Sequence, residues 1–298
     1  VLFRSVTQTA DGTYAGVMSG TGGGLTKEGG NWLFLTGSNT YTGTTTINNG
    51  YIRLNAAGGV IADASAVVLG ASGTLDVYYS DTVGSISGSG TIYTQSASGG
   101  VVLTMGGDNS STTFSGNLSM GQTALGYIKV GTGTLTLSGT STFTNFGSSV
   151  SFDINGGVVS LASAAAFGNM TSNSNARIGF GGGTLQFTSS NTTDYSGNFK
   201  TTASQQYKID TNGQTVMLAS ALASSGGSLT KSGSGTLNLL GANTYTGGST
   251  ISTGTIGAYT NTAFGAGAIT FGSNTSLVLG RAVTTIANDI TLSGSTTV

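Results

Sequence analysis

The sequence predicts an all-β solenoid of short stacked coils, and three observations support that prediction. Segments 25–52 and 229–256, which lie 204 residues apart (229 − 25), align without a gap with 16 of 28 positions identical. Apolar and polar residues alternate in short runs along the chain. The 298 residues include 52 glycines and no proline, which favours many tight turns between uninterrupted strands. Self-similarity over a fixed long spacing is typical of repeat architectures, in which one short unit stacks on its neighbours.

The two copies share a recognisable order of residues. Each begins with Leu-Thr-Lys and continues through Leu-x-Leu and Asn-Thr-Tyr-Thr-Gly to a final Gly-x-Ile. A fainter third copy follows Lys129, 102 residues before Lys231 (231 − 129), and it loses the Asn-Thr-Tyr element. Shorter echoes occur at 73–77, 90–92 and 183–187. Because Lys27 recurs in register in all three copies, we interpret it as a structural position.

The strands are predicted from pairs of aliphatic residues that flank one outward-facing residue. In chain order these pairs are Leu33 and Leu35, Ile52 and Leu54, Leu135 and Leu137, Leu237 and Leu239, Leu277 and Leu279, and Ile290 and Leu292. Asn39 and Asn243 are expected at turns, where their amides can bond to neighbouring backbone. An antiparallel sandwich would also suit many short strands. The long-range repeat favours a parallel β-solenoid with coils of roughly 20 residues, since each coil can then stack like residues on like.

Composition excludes several classes of partner. Charged residues are 6% of the chain, against about 25% in ordinary soluble domains. The net charge is −1. No basic run is present, so we expect no binding to nucleic acid. No segment approaches the roughly 20 apolar residues of a membrane-spanning helix, so we expect no direct membrane span.

The chain is predicted to consist of two segments. Residues 1–5 fit no repeat and are expected to be a non-native scar. Residues 6–298 are expected to form a single β-solenoid that is a fragment of a longer repeat protein. The strand edges at both solenoid ends would be unpaired in such a fragment, and self-association through these ends is therefore expected.

The repeated blocks resemble the passenger-associated β-strand repeat of bacterial autotransporters, the AIDA-like passengers with a pectin-lyase-like β-helix. Residues 228–256 match this pattern nearly throughout, whereas residues 24–52 carry Asn31 and Trp32 in place of Gly-Thr. Strong resemblance covers about a fifth of the chain. It implies a right-handed parallel β-helix at the cell surface of a Gram-negative-type bacterium, or secreted from it. It also implies a C-terminal outer-membrane barrel, which we expect to be absent from this fragment.

The expected function is that of a structural and adhesive rod in an exported surface protein. Glycans and the surfaces of host or neighbouring cells are the expected partners. The alternative is a β-helix enzyme acting on polysaccharide, for which two carboxylates must face each other about 5–9.5 Å apart. Only Asp76 and Asp81 are close in sequence, no histidine is present, and turn roles explain both residues better. We therefore assign no enzymatic activity, catalytic residue, cofactor or metal site.

Aromatic residues and threonines offer two further alternatives. The aromatic residues that recur in Thr or Ser-Gly contexts are Tyr41, Phe114, Phe143, Tyr195 and Tyr245. We expect them to stack inside the rod, with an exposed carbohydrate-binding ladder as the alternative. The threonines at 44–46 raise an ice-binding alternative, although their spacing along the chain is too irregular for a flat array.

Overall fold

The computed structural model describes residues 3–7, 9–95, 99–121, 124–143, 150–172, 175–293 and 296–297. This part of the chain is nearly all β, with two 3-10 turns at Met170–Ser172 and Ser196–Asn198 and no α-helix. The strands are β1 (Phe3–Thr7), β2 (Gly12–Tyr14), β3 (Gly24–Glu28), β4 (Trp32–Leu35), β5 (Thr45–Leu54), β6 (Val67–Val77), β7 (Asp81–Val83), β8 (Ile86–Gly88), β9 (Thr91–Thr94), β10 (Val101–Met105), β11 (Thr112–Phe114), β12 (Asn117–Met120), β13 (Ala124–Lys129), β14 (Thr134–Leu137), β15 (Thr142–Phe143), β16 (Val150–Ile154), β17 (Val158–Leu161), β18 (Ala176–Phe180), β19 (Thr184–Gln186), β20 (Gln206–Asp210), β21 (Thr215–Leu218), β22 (Ser228–Ser232), β23 (Thr236–Leu239), β24 (Ser249–Ile251), β25 (Gly254–Ala258), β26 (Ile269–Phe271), β27 (Thr275–Leu279), β28 (Ile290–Leu292) and β29 (Thr296–Thr297).

The strands stack in parallel as a β-solenoid of about 12 turns, as the sequence predicted. One long sheet runs along the rod from β1 to β28. A five-stranded sheet (β7, β10, β13, β16, β18) forms a second face along the middle part of the rod, and another (β21, β23, β25, β27, β29) lies along the last part. Because the pairing between strands in all three sheets is parallel, the antiparallel sandwich considered as an alternative is wrong.

The coil length varies along the rod. Asn243 bonds to Ala263 on the next coil, 20 residues further along the chain. Asn191 bonds to Ser163 on the preceding coil, 28 residues away. The predicted coil of roughly 20 residues is thus confirmed in the last repeat, whereas the central coils are longer because their turns hold additional residues.

Inward-facing aliphatic residues form ladders along the rod axis. Leu33, Ile52, Leu75, Ile92 and Leu118 stand in register on β4, β5, β6, β9 and β12, and all five are buried. Each residue thus packs on its own equivalent in the next coil. Truncating one such side chain to alanine would cost about 2–5 kcal/mol, since the neighbouring rungs cannot collapse into the gap.

The recurring aromatic residues also lie inside the rod. Tyr41, Phe114, Phe143, Tyr195 and Tyr245 are all at most 2% exposed, which confirms the predicted internal stacking. Phe167 packs between two of them, with its ring centroid 6.3 Å from that of Phe143 and 5.4 Å from that of Tyr195. An external carbohydrate-binding ladder built from these five residues is therefore wrong, because no ligand can reach their rings.

The first strand of the described chain is paired with the next coil, whereas a strand near its other end exposes apolar side chains. Strand β1 pairs with β3 along its whole length. That residues 1–5 are a non-native scar stays a prediction. At the other end, Ile290 and Leu292 stand in register with the buried Ile269 and Phe271 but are 48% and 53% exposed. No helix in the described residues is long and apolar enough to cross a membrane.

Candidate binding surface

Asn39 and Asn243 join three consecutive coils through their side-chain amides. The Oδ1 atom of Asn39 accepts from the Met18 N–H at 2.7 Å, and its Nδ2 donates to the Val60 carbonyl at 2.6 Å. Asn243 makes the equivalent bonds to the Leu222 N–H at 2.7 Å and to the Ala263 carbonyl at 2.5 Å. The prediction that these two residues bond to neighbouring backbone at turns is confirmed.

Three buried lysines occupy the same place in the three copies. Lys27, Lys129 and Lys231 point inward at the ends of their strands and are at most 2% exposed. Each amine donates to nearby carbonyls, as in the 2.7 Å bond from Lys27 to Glu28 and the 2.6 Å bond from Lys129 to Val130. Burial lowers the pKa of all three amines, that of Lys231 to about 8. The prediction of a structural position agrees with this arrangement.

The structure places Asp76 and Asp81 in different surroundings. Asp76 is fully buried and forms an ion pair with Arg53, with Oδ2 2.6 Å from one guanidinium nitrogen. Asp81 accepts from the backbone N–H groups of Val60 at 3.1 Å, Ile61 at 3.0 Å and Thr82 at 2.9 Å. Burial raises the pKa of both carboxyls, that of Asp81 to about 6. Both carboxylates are thus held by partners within the fold, which agrees with the structural interpretation of these residues.

The threonines at 44–46 do not form a flat exposed array. Thr45 is fully buried, and its hydroxyl lies 2.6 Å from that of Tyr41. Thr46 stands in register with Thr26 on one side and with Val68 on the other, so the outward row of threonines ends after two coils. The described residues also contain no group of acidic side chains that could hold a metal ion.

The solvent side of β4 and β5, with the residue that follows β6, carries a cluster of rings around one guanidinium. We term this cluster the aromatic face: Trp32, Phe34, Tyr51, Arg53 and Tyr78. The rings of Trp32 and Tyr51 stack with centroids 4.2 Å apart and planes 11° apart. Phe34 lies 5.8 Å from Trp32 in a nearly parallel orientation. The Arg53 guanidinium carbon lies 4.9 Å from the Trp32 centroid and 4.8 Å from that of Tyr78, within cation–π range.

A shallow groove runs along the outer side of the second sheet. It consists of two adjoining cavities of about 300 and 550 Å³ that share Val102 and Ile128. One cavity reaches the ion pair between Lys200 and Asp153, whose atoms approach to 2.6 Å. The other reaches Asp81. Val102 and Ile128 thus lie where the two cavities meet, and charged residues line both cavities.

Sequence reasoning missed the aromatic face, although a signal was present. Trp32 departs from the threonine that the repeat pattern places at this position, as at Thr236 of the second full copy. Phe34 lies on the same strand as Trp32, but Tyr51, Arg53 and Tyr78 come from later coils, and their contacts could not be read from neighbouring positions in the sequence. A departure from the repeat was therefore the available signal for this site, whereas the repeated aromatic residues proved to be core.

Comparison with known families accounts for the repeats. The passenger-associated-transport-repeat family matches residues 25–54, 128–161 and 229–257, which are the three copies found by internal alignment. The chain is an autotransporter passenger repeat protein. The stacked Asn, Lys and aliphatic positions described above are the structural elements of these passenger repeats.

A second comparison extends the similarity beyond the three repeats. The passenger chain is 30% identical over 265 residues to a protein named adhesin BmaC autotransporter from Brucella suis biovar 1 (strain 1330). The match covers 83% of this chain but spans only 7% of the adhesin. No solved structure matches the passenger chain.

Proposed function

We propose that the chain is a structural and adhesive rod of an exported bacterial surface protein. The uninterrupted parallel solenoid carries this proposal, because a stack of coils that contact only their neighbours yields an extended body with a long accessible surface. Similarity to a protein named as an adhesin supports the adhesive part of the proposal. The passenger repeats support a location at the surface of a Gram-negative bacterium or among its secreted proteins.

The outer-membrane association and the partners are part of the same proposal. A rod with 6% charged residues and many Ser, Thr and Gly side chains presents a surface suited to many shallow polar contacts. Such contacts are individually weak, but repetition along the rod multiplies them when several sites engage one surface. Glycans on host or neighbouring cells are the expected partners.

The test is adhesion of the chain itself. Beads coated with the purified protein are expected to attach to cultured epithelial cells and to bacterial cells, whereas beads coated with an unrelated β-solenoid of similar length are not. Attachment should fall after enzymatic removal of cell-surface glycans. Failure of the coated beads to attach to any cell would reduce the role of the chain to that of a spacer.

A further inference from the structure

We infer that the aromatic face is a binding site for neutral hexopyranose residues of a surface glycan. The inference rests on the proposed adhesive function and assigns it to particular side chains. It begins from a comparison within the chain, because the repeat builds the same pair of strands more than once.

The fold does not require rings at these positions. In the first copy Trp32 stands in register with Tyr51, and Phe34 with Arg53. The same pairing in the second full copy joins Thr236 to Thr255 and Asn238 to Gly257. All four outward positions change from large to small residues while the parallel pairing is retained. Packing of the solenoid therefore does not explain the aromatic residues of the first copy.

The aromatic face is held rigidly. Asp76 fixes the Arg53 side chain through contacts of 2.6 and 2.7 Å from its Oδ2 atom, and Gln95 donates to both Asp76 oxygens at 3.1 Å. The fixed guanidinium in turn lies against the rings of Trp32 and Tyr78. A surface that is ordered before binding loses less conformational entropy on binding, which favours affinity for a small ligand.

Charge and shape select the class of ligand. Asp76 neutralises Arg53, so the face has no free cation to attract an acidic sugar or a nucleic acid. The guanidinium already lies over the rings, which leaves no empty cage for a quaternary ammonium group. What remains accessible is ring surface, with Tyr51 37% exposed and Trp32 half-buried. The C–H groups on one side of a pyranose are weakly positive and pack on the negative face of an aromatic ring.

Direct titration tests this assignment. Trp32 is the single tryptophan, so its fluorescence reports binding at the face when cellohexaose or mannohexaose is added. A heparin hexasaccharide and an oligothymidylate serve as anionic probes. We expect at least one neutral hexasaccharide to bind and neither anion to do so. Binding of an anion alone, or of no probe at all, would overturn the inference.

Substitutions then locate the binding. Tyr51→Thr and Trp32→Thr introduce the residue that the second copy carries at the same position, and circular dichroism verifies that the strands still form. Each should weaken binding about tenfold or more, which corresponds to about 1.4 kcal/mol, as measured by saturation-transfer NMR. Tyr259→Thr, which removes a tyrosine 39% exposed outside the face, is the control and should leave binding unchanged. Equal binding by all three variants would refute the site.

The same variants separate this inference from the proposed function. Beads coated with Tyr51→Thr protein should attach to cells less well than beads coated with the unsubstituted chain. If both attach equally, the aromatic face is not the site and the adhesive role stands. If the unsubstituted chain attaches to no cell, the proposed adhesive function itself fails.

Discussion

Replacing Asn243 by alanine should destabilise the rod by removing a buried connection between three coils. The substitution leaves the Leu222 N–H and the Ala263 carbonyl, both on residues at most 1% exposed, without their partner. A buried polar group left without a hydrogen bond costs about 1–3 kcal/mol, so the two together predict a loss of about 2–6 kcal/mol. The strands on either side retain their backbone pairing, and the loss should therefore be local to the last repeat.

The chain supplies a matched control in Asn261. This exposed asparagine also joins coils through its amide, with Oδ1 accepting from the Thr284 N–H at 2.9 Å. Water can replace its bonds after substitution, so Asn261→Ala should cost less than about 1 kcal/mol. Asn243→Ser tests an intermediate case, since the third copy carries Ser141 at this position and a hydroxyl is too short to reach both partners.

Guanidinium chloride unfolding followed by far-UV circular dichroism measures these differences, and amide hydrogen exchange at Leu222 reports the local opening. The expected order of stability loss is Asn243→Ala, then Asn243→Ser, then Asn261→Ala. Equal losses for Asn243→Ala and Asn261→Ala would refute the reasoning, because burial would then make no difference to the energetic value of the connection.

Three further predictions concern other parts of the rod. Burial lowers the pKa of Lys231 from its ordinary value of 10.5 to about 8 in the folded chain. Between pH 8 and pH 10.5 the unfolded chain therefore binds more protons than the folded chain, and the free energy of unfolding should rise with pH in this range. Urea titrations between pH 7 and 9.5 should show that rise, and Lys231→Met should make it shallower. If the free energy of unfolding depends on pH equally in both proteins, burial of the Lys231 amine is not its cause. Gly254→Ala should lower the stability by at least about 1 kcal/mol, because Gly254 has φ +75° and an added Cβ would collide with the Gly233 carbonyl. Thermal melts measure the loss, and an unchanged melting temperature would contradict the predicted strain. Replacing the exposed Ile290 and Leu292 by threonine should reduce self-association in sedimentation experiments, whereas an unsubstituted chain that stays monomeric at high concentration would rule out association through this end.

Much of the fold could be predicted from the sequence because a parallel solenoid places equivalent residues on top of one another. The recurrence of Leu33 and Leu35 as Leu237 and Leu239 gave both the strands and their inward faces. The predicted bonding of Asn39 and Asn243 followed from the same recurrence, since an amide shared by two copies is more readily explained by the fold than by a unique site. Repetition alone thus determined the architecture, the core and the main polar connections between coils.

The tertiary structure decided which outward residues meet. Trp32 and Tyr78 lie 46 residues apart in the sequence (78 − 32), yet both contact the Arg53 guanidinium. Turn lengths set the register between coils, and they vary from coil to coil without altering the alternation within a strand. The sequence therefore determined which residues face outward, whereas only the stacking of coils determined which of them lie side by side, because that depends on the path of each turn.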